Sequence, residues 1–131
     1  MSSSRNRMKL IIPKGCDNAP RKQIVIDFTS ALLEPNHEIA EAYAHDSVVW
    51  YQLKVERIIE GRRSLITALH DENTVTIDCL EIYQVITHGK SASINGLISY
   101  ADGARINFCD VYVFSNGAKS GKVKEIRSYR L

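Results

Sequence analysis

From Thr74 onward the chain reads as four consecutive strand-like stretches, cut only by short turns and one loop. "TVTIDCLEIYQVITHGK" passes through His88-Gly89-Lys90 into "SASINGLISY", which passes through Ala101-Asp102-Gly103 into "INFCDVYVF"; "SNGAKSG" then leads into "KVKEIRSY". Short connections make successive strands antiparallel neighbours, so this half of the chain must form one meander. The first stretch is too long for a flat strand. Its apolar phase slips between Ile77 and Leu80, which predicts a β-bulge near Cys79 that bends the sheet.

The upstream half is patterned differently. Pro20 suits the first turn of a helix, where its missing N–H costs nothing, and Ile24, Val25, Phe28, Ala31 and Leu32 recur at helical spacing. Glu34 precedes Pro35 and is biased away from helix, so the helix ends there. Asn36 is a natural N-cap for a second helix carrying Ile39, Ala42 and Tyr43. "SVVWYQL" and "VERII" then predict a hairpin, Gly61 breaks its second strand, and a short helix follows with Leu65, Ile66 and Leu69 toward the core. Helices followed by a run of strands give an α+β class: three N-terminal helices packed against a strongly bent, mostly antiparallel sheet. Such a sheet encloses a cone with a cavity at its open end.

At 131 residues the chain is expected to form one domain over residues 8–131, preceded by a disordered tail at 1–7. A net charge of +2, with no Lys/Arg block interleaved with aromatics, argues against a nucleic-acid partner. No stretch approaches the roughly 20 apolar residues of a membrane span. Cys16, Cys79 and Cys109 are odd in number and widely spaced, which suits a reducing cytoplasm. No pair of histidines stands at ligand spacing, so no metal is expected. Arg57, Arg62 and Arg63 are read as a solvated face.

One letter breaks the oily row of the third stretch. Ile106, Phe108, Asp110, Tyr112 and Phe114 share a face, and an ionised Asp there must find a partner or take a proton. Asp110 is therefore either the acid of a ligand pocket or a structural carboxylate bonded to a backbone N–H or to Arg127. Its neighbours divide the same way. Tyr51 and Tyr112 either line the pocket or fill the cone, whereas Tyr43 is read as core. Trp50 is expected on the opposite side of its strand from Tyr51, in packing or an oligomer contact. Asn95, followed by Gly96, is a pocket amide or the mark of a bulge or turn-like kink, and Ser128 either touches a ligand or lines a polar inner rim. Val111, Val113 and Val123 are expected on the outer sheet face, where they would support a homodimer.

Three stretches carry a family resemblance: "YAHDSVVWYQ", "IIEGRRSLITAL" and "FCDVYVFSNGAKSGKVKEIRSY". Together they resemble the nuclear transport factor 2-like superfamily, which includes ketosteroid isomerase-like and SnoaL-like polyketide cyclase-like proteins. The resemblance implies a cone-shaped α+β barrel of the cystatin-like kind, a small organic ligand, apolar or partly polar, and either cofactor-free isomerase, cyclase or dehydratase-like chemistry or a non-catalytic dimerisation or protein-interaction module. In ketosteroid isomerases an Asp at the position of Asp110 is held protonated and donates a hydrogen bond to the substrate oxyanion. Asp110 is thereby implied as the catalytic candidate, with Phe28, Tyr51, Asn95, Tyr112 and Ser128 around a ligand. Yet the family's Tyr donor on the first helix is matched by Phe28, and its general base by Tyr51, so steroid isomerisation is not implied. The related epoxide hydrolases need an acid between Arg and Tyr on the last strand. Ser128 stands there instead.

Overall fold

The structure is a computed structural model that describes residues 8–14, 19–71 and 76–131. The expected tail, Cys16, and the first residues of the long strand (Thr74 and Val75) lie outside the described residues. Among the described residues ten elements follow in order: β1 (Lys9–Ile11), α1 (Pro20–Leu33), α2 (His37–Tyr43), β2 (Ala44–Gln52), β3 (Arg57–Glu60), α3 (Arg62–Asp71), β4 (Ile77–His88), β5 (Ser91–Tyr100), β6 (Arg105–Phe114) and β7 (Val123–Arg130). One sheet of seven strands runs β1-β4-β5-β6-β7-β2-β3. The meander β4 to β7 is antiparallel throughout. Parallel pairing occurs where β1 joins β4 and where β2 joins β7. The bent sheet stays unclosed and wraps over the helices, α1 against β4 and β5 and α3 against β2. This is the expected cone.

Local chemistry sets the helix ends. Pro20 starts α1, and the Glu34 N–H closes it onto the Ser30 carbonyl. The Asn36 side chain accepts hydrogen bonds from the Glu38 and Ile39 N–H groups, satisfying two donors that a helix start leaves open. Fully buried Ile26 joins Val25 and Phe28 on α1, so burial extends beyond the stripe that spacing predicts. Each such side chain contributes about 1.5–3 kcal/mol of apolar burial.

The bend is built into β4. Its register against β5 shifts between Ile77 and Cys79, where the sequence predicts it, and again between Ile82 and Gln84. At the second shift β5 presents Asn95 and Gly96. A Cβ on Gly96 would lie 1.9 Å from the Glu81 carbonyl oxygen, so the Asn-Gly pair marks a bulge with a close backbone approach.

Trp50 and Tyr51 take opposite sides of β2 as expected, but inside and outside are exchanged, and Val123 is reversed as well. Trp50 is buried and faces inward, and Tyr51 is half-buried on the outer face beneath the Arg127 guanidinium, 4.1 Å from its ring centre. Both phases of β2 are apolar, Val48 with Trp50 and Val49 with Tyr51, so alternation alone cannot choose between them. Val123 is also fully buried. The β6–β7 register shifts between Val113 and Phe114, which pairs Val123 with inward-facing Phe114. Val111 and Val113 keep their outward, half-buried positions.

Candidate functional site

Asp110 is where the oily row meets polar chemistry. Its β7 cross-strand partner is Ser128 and its β5 partner is Ile94. The carboxylate is fully buried, and its Oδ1 accepts a hydrogen bond of 2.7 Å from Arg130 Nη1. The ion partner is thus Arg130 and not Arg127, which lies on the outer face and pairs with Glu125 at 2.9 Å. Strand alternation explains this: Arg130 is two residues from Ser128 and shares its face, whereas Arg127 does not. Asp110 Oδ2 has no hydrogen-bond partner among the described residues. Burial pushes the carboxyl above its ordinary range, while the Arg130 guanidinium and the Ser128 hydroxyl pull it back only in part.

Arg130 leads from this buried acid to a cavity. At the open end of the cone a hollow of about 340 Å³ is walled by Leu32 and Leu33 of α1, Trp50 of β2, Tyr100 of β5 and Ile106 of β6. Ser128, Arg130 and the Gln52 amide supply the polar wall, and the β2–β3 turn, through Leu53 to Val55, forms the rim. Trp50 Nε1 donates to Ser128 Oγ at 2.9 Å, so the indole and the hydroxyl hold each other in place. Hollows of about 420 and 470 Å³ lie along α3. Volume alone would favour them, but charged surface groups such as Glu41, Asp46, Arg62 and Arg63 wall them, and a ligand site needs apolar walls with a few polar groups. The hollow at the cone's mouth has that composition.

The structure brings together fewer of the expected site residues than the sequence suggests. Ser128 lines the cavity; Asp110 lies outside its wall and reaches it through Arg130 and Ser128. Phe28 and Tyr112 are fully buried and meet edge to face, ring centres 6.0 Å apart. The Tyr112 hydroxyl is 2.6 Å from the Thr29 Oγ1, also buried, which answers its need for a partner without a ligand. These rings fill the body of the cone. Tyr51 is on the outer face. Asn95 borders a separate hollow of about 200 Å³ with Tyr83, Cys109 and Tyr129. Arg130, Trp50 and Tyr100 are the site residues that sequence reading missed; the available signal was the shared face of Ser128 and Arg130. Among the described residues no three His, Cys, Asp or Glu side chains cluster closely enough to hold a metal ion. No helix among them is long and apolar enough to cross a membrane.

No family model and no curated protein matches the sequence. Solved structures do match. A SnoaL-like polyketide cyclase, so described, from Shewanella denitrificans superposes with a TM-score of 0.68 at 16% identity, over 84% of this chain and 89% of that one. A protein described as a ketosteroid isomerase from Kribbella flavida gives 0.65 at 13% identity, over 86% and 78%. A protein of unknown function from Cytophaga hutchinsonii, described as nuclear transport factor 2-like, gives 0.60 at 20%, over 83% and 97%. At such identities the likeness concerns architecture, and it agrees with the cone, the bent meander and the three helices. The chain has the nuclear transport factor 2-like fold.

Proposed function

We propose that this chain is a small-molecule-binding domain that takes a compact, largely apolar organic ligand into the cavity at the mouth of the cone. The observation that carries this reading is the pairing of an apolar hollow with an arginine anchored on a buried carboxylate, Arg130 on Asp110. Structural neighbours described as a cyclase and an isomerase support chemistry of that general type. In this chain it would run without a cofactor, with Arg130 stabilising negative charge on an enolate-like group and Asp110 positioning Arg130. Steroid isomerisation is not part of the proposal, since Phe28 has no hydroxyl and Tyr51 faces away from the cavity.

Trp50 is the sole tryptophan and stands in the cavity wall, so its fluorescence is a direct reporter. Titration with a library of small aromatic and branched aliphatic compounds is expected to give saturable changes in emission for some members. Ile106→Trp would fill the cavity, and in that variant those compounds should cease to bind by calorimetry. A library without a single saturable response would overturn the reading.

A second reading, a dimerisation or protein-interaction module, is favoured by the aromatic filling of the cone and by the outer sheet face. There Val111, Val113, Val49 and Tyr51 flank the Arg127–Glu125 pair, with Tyr129 43% exposed beside them. We propose that two copies pair through this face, which is compatible with the pocket. Sedimentation velocity at roughly 10 µM, tenfold above a micromolar Kd, should show a dimer, and Val111→Arg should give a monomer. A monomeric native chain would sink the pairing.

A further inference from the structure

We infer that the ligand of this cavity is a small organic acid, its carboxylate held by the guanidinium of Arg130 and its apolar body seated against Trp50, Leu32 and Ile106. The inference deepens the pocket reading above and rests on it. Charge in the lining is one-sided: Arg130 and Lys54 are present, and no Asp or Glu belongs to the wall. Around those cations the walls are mainly apolar, a setting in which a charge-assisted hydrogen bond is strong.

The state of Arg130 fits this role. A guanidinium has five N–H donors in a rigid planar fork that matches a carboxylate with two parallel bonds. Nη1 is committed to Asp110 Oδ1 at 2.7 Å and to the Tyr129 carbonyl at 3.0 Å. Neither Nε nor Nη2 has a hydrogen-bond acceptor among the described residues that accounts for it. The Arg130 side chain is only 15% exposed, so its geometry is fixed before a ligand arrives. Asp110 does not line the cavity, and so it orients the fork without occupying the place of the ligand. Ser128 Oγ accepts from Trp50, and its hydroxyl is turned to Asp110, so the carboxylate of a ligand falls to Arg130. A ligand with a donor-rich head, such as an amine, would face two cations and few acceptors. The volume, near the lower end of the roughly 300–1,000 Å³ of ligand sites, suits an aryl or branched alkanoic acid.

The test is a set of matched ligands read by Trp50 fluorescence and by calorimetry: 3-phenylpropanoate, 3-phenylpropanamide and 3-phenylpropylamine, with a branched aliphatic set of the same three heads. The acid is expected to bind at least tenfold more tightly than its amide, and the amine not at all. In Arg130→Lys the preference for acid should shrink, and in Arg130→Gln acid and amide should become equal. Because Arg130→Gln removes a partner of a buried acid, the comparison of acid with amide on the native chain decides the matter even if that variant does not fold. Equal binding of acid and amide, or tighter binding of the amine, would overturn the inference while leaving the pocket in place. Binding by none of the compounds, with other library members active at Trp50, would also overturn it. Silence from the matched ligands and the whole library would remove the pocket itself.

Discussion

Gly96→Ala is expected to lower the free energy of unfolding by about 3 kcal/mol, at the upper end of what overpacking usually costs. The added methyl would meet backbone atoms on every near side, the Glu81 oxygen at 1.9 Å, the Glu81 carbonyl carbon at 2.9 Å and the Ile82 Cα at 3.0 Å. None of these can swing aside as a side-chain tip can. Relief requires opening the β4–β5 ladder beside the register shift at Ile82 and Gln84. Urea unfolding followed by circular dichroism measures the loss. A change below about 1 kcal/mol would mean that the bulge absorbs a Cβ by sliding, and that the close approach is not what holds the bend.

Arg130→Met should lower the melting temperature by about 10 °C at pH 8, because removing one partner of a buried pair costs about 3 kcal/mol or more. At pH 5 the loss should be less than half as large. Burial already holds the Asp110 carboxyl above its ordinary range, so the folded chain binds that proton more tightly than the unfolded chain does. The stability linked to it is fully present below the unfolded pKa of about 3.9 and is lost as pH rises through the folded value. Without Arg130 one of the two groups that favour the charged form is gone, and the folded value moves further up. Acid then rescues the variant by neutralising the stranded carboxyl. Equal losses at both pH values would show that Asp110 is not the group responding. Asp110→Asn separates the pair from the other side: it removes the titrating group, and its stability relative to the native chain should improve as pH rises.

Much of the fold could be read from local chemistry. The starts of α1 and α2 follow from Pro20 and Asn36, and the meander follows from short turns, two of which carry glycines at positive φ, Gly89 and Gly103. What could not be read was decided by partners distant in sequence. β1 is a three-residue strand whose only pairing among the described residues is with β4, too short for any periodicity to announce it. The side of Trp50 and the side of Val123 depend on bulges and on which neighbour each strand meets. The site shows the same division. Asp110 was legible because a charge on an apolar face violates binary patterning. Its partner was not, because Arg127 and Arg130 are both basic and near the chain's last strand end, and only the register of β6 against β7 separates them.

The parallel pairing of β2 with β7 has a kinetic meaning. It joins the two strands of the sheet that are most distant in sequence among its neighbours, across α3 and the entire meander. Closing so long a loop costs conformational entropy before any contact repays it. The cavity needs that closure, since Trp50 comes from one side of it and Ser128 and Arg130 from the other. A partly folded chain that has made the meander but has not added β2 has no site to offer. A molecule bound there therefore acts on the finished structure alone: at a hundred times its Kd it adds about 2.7 kcal/mol. Where wall closure follows the folding barrier, that gain is expressed as slower unfolding, with the rate of refolding unchanged.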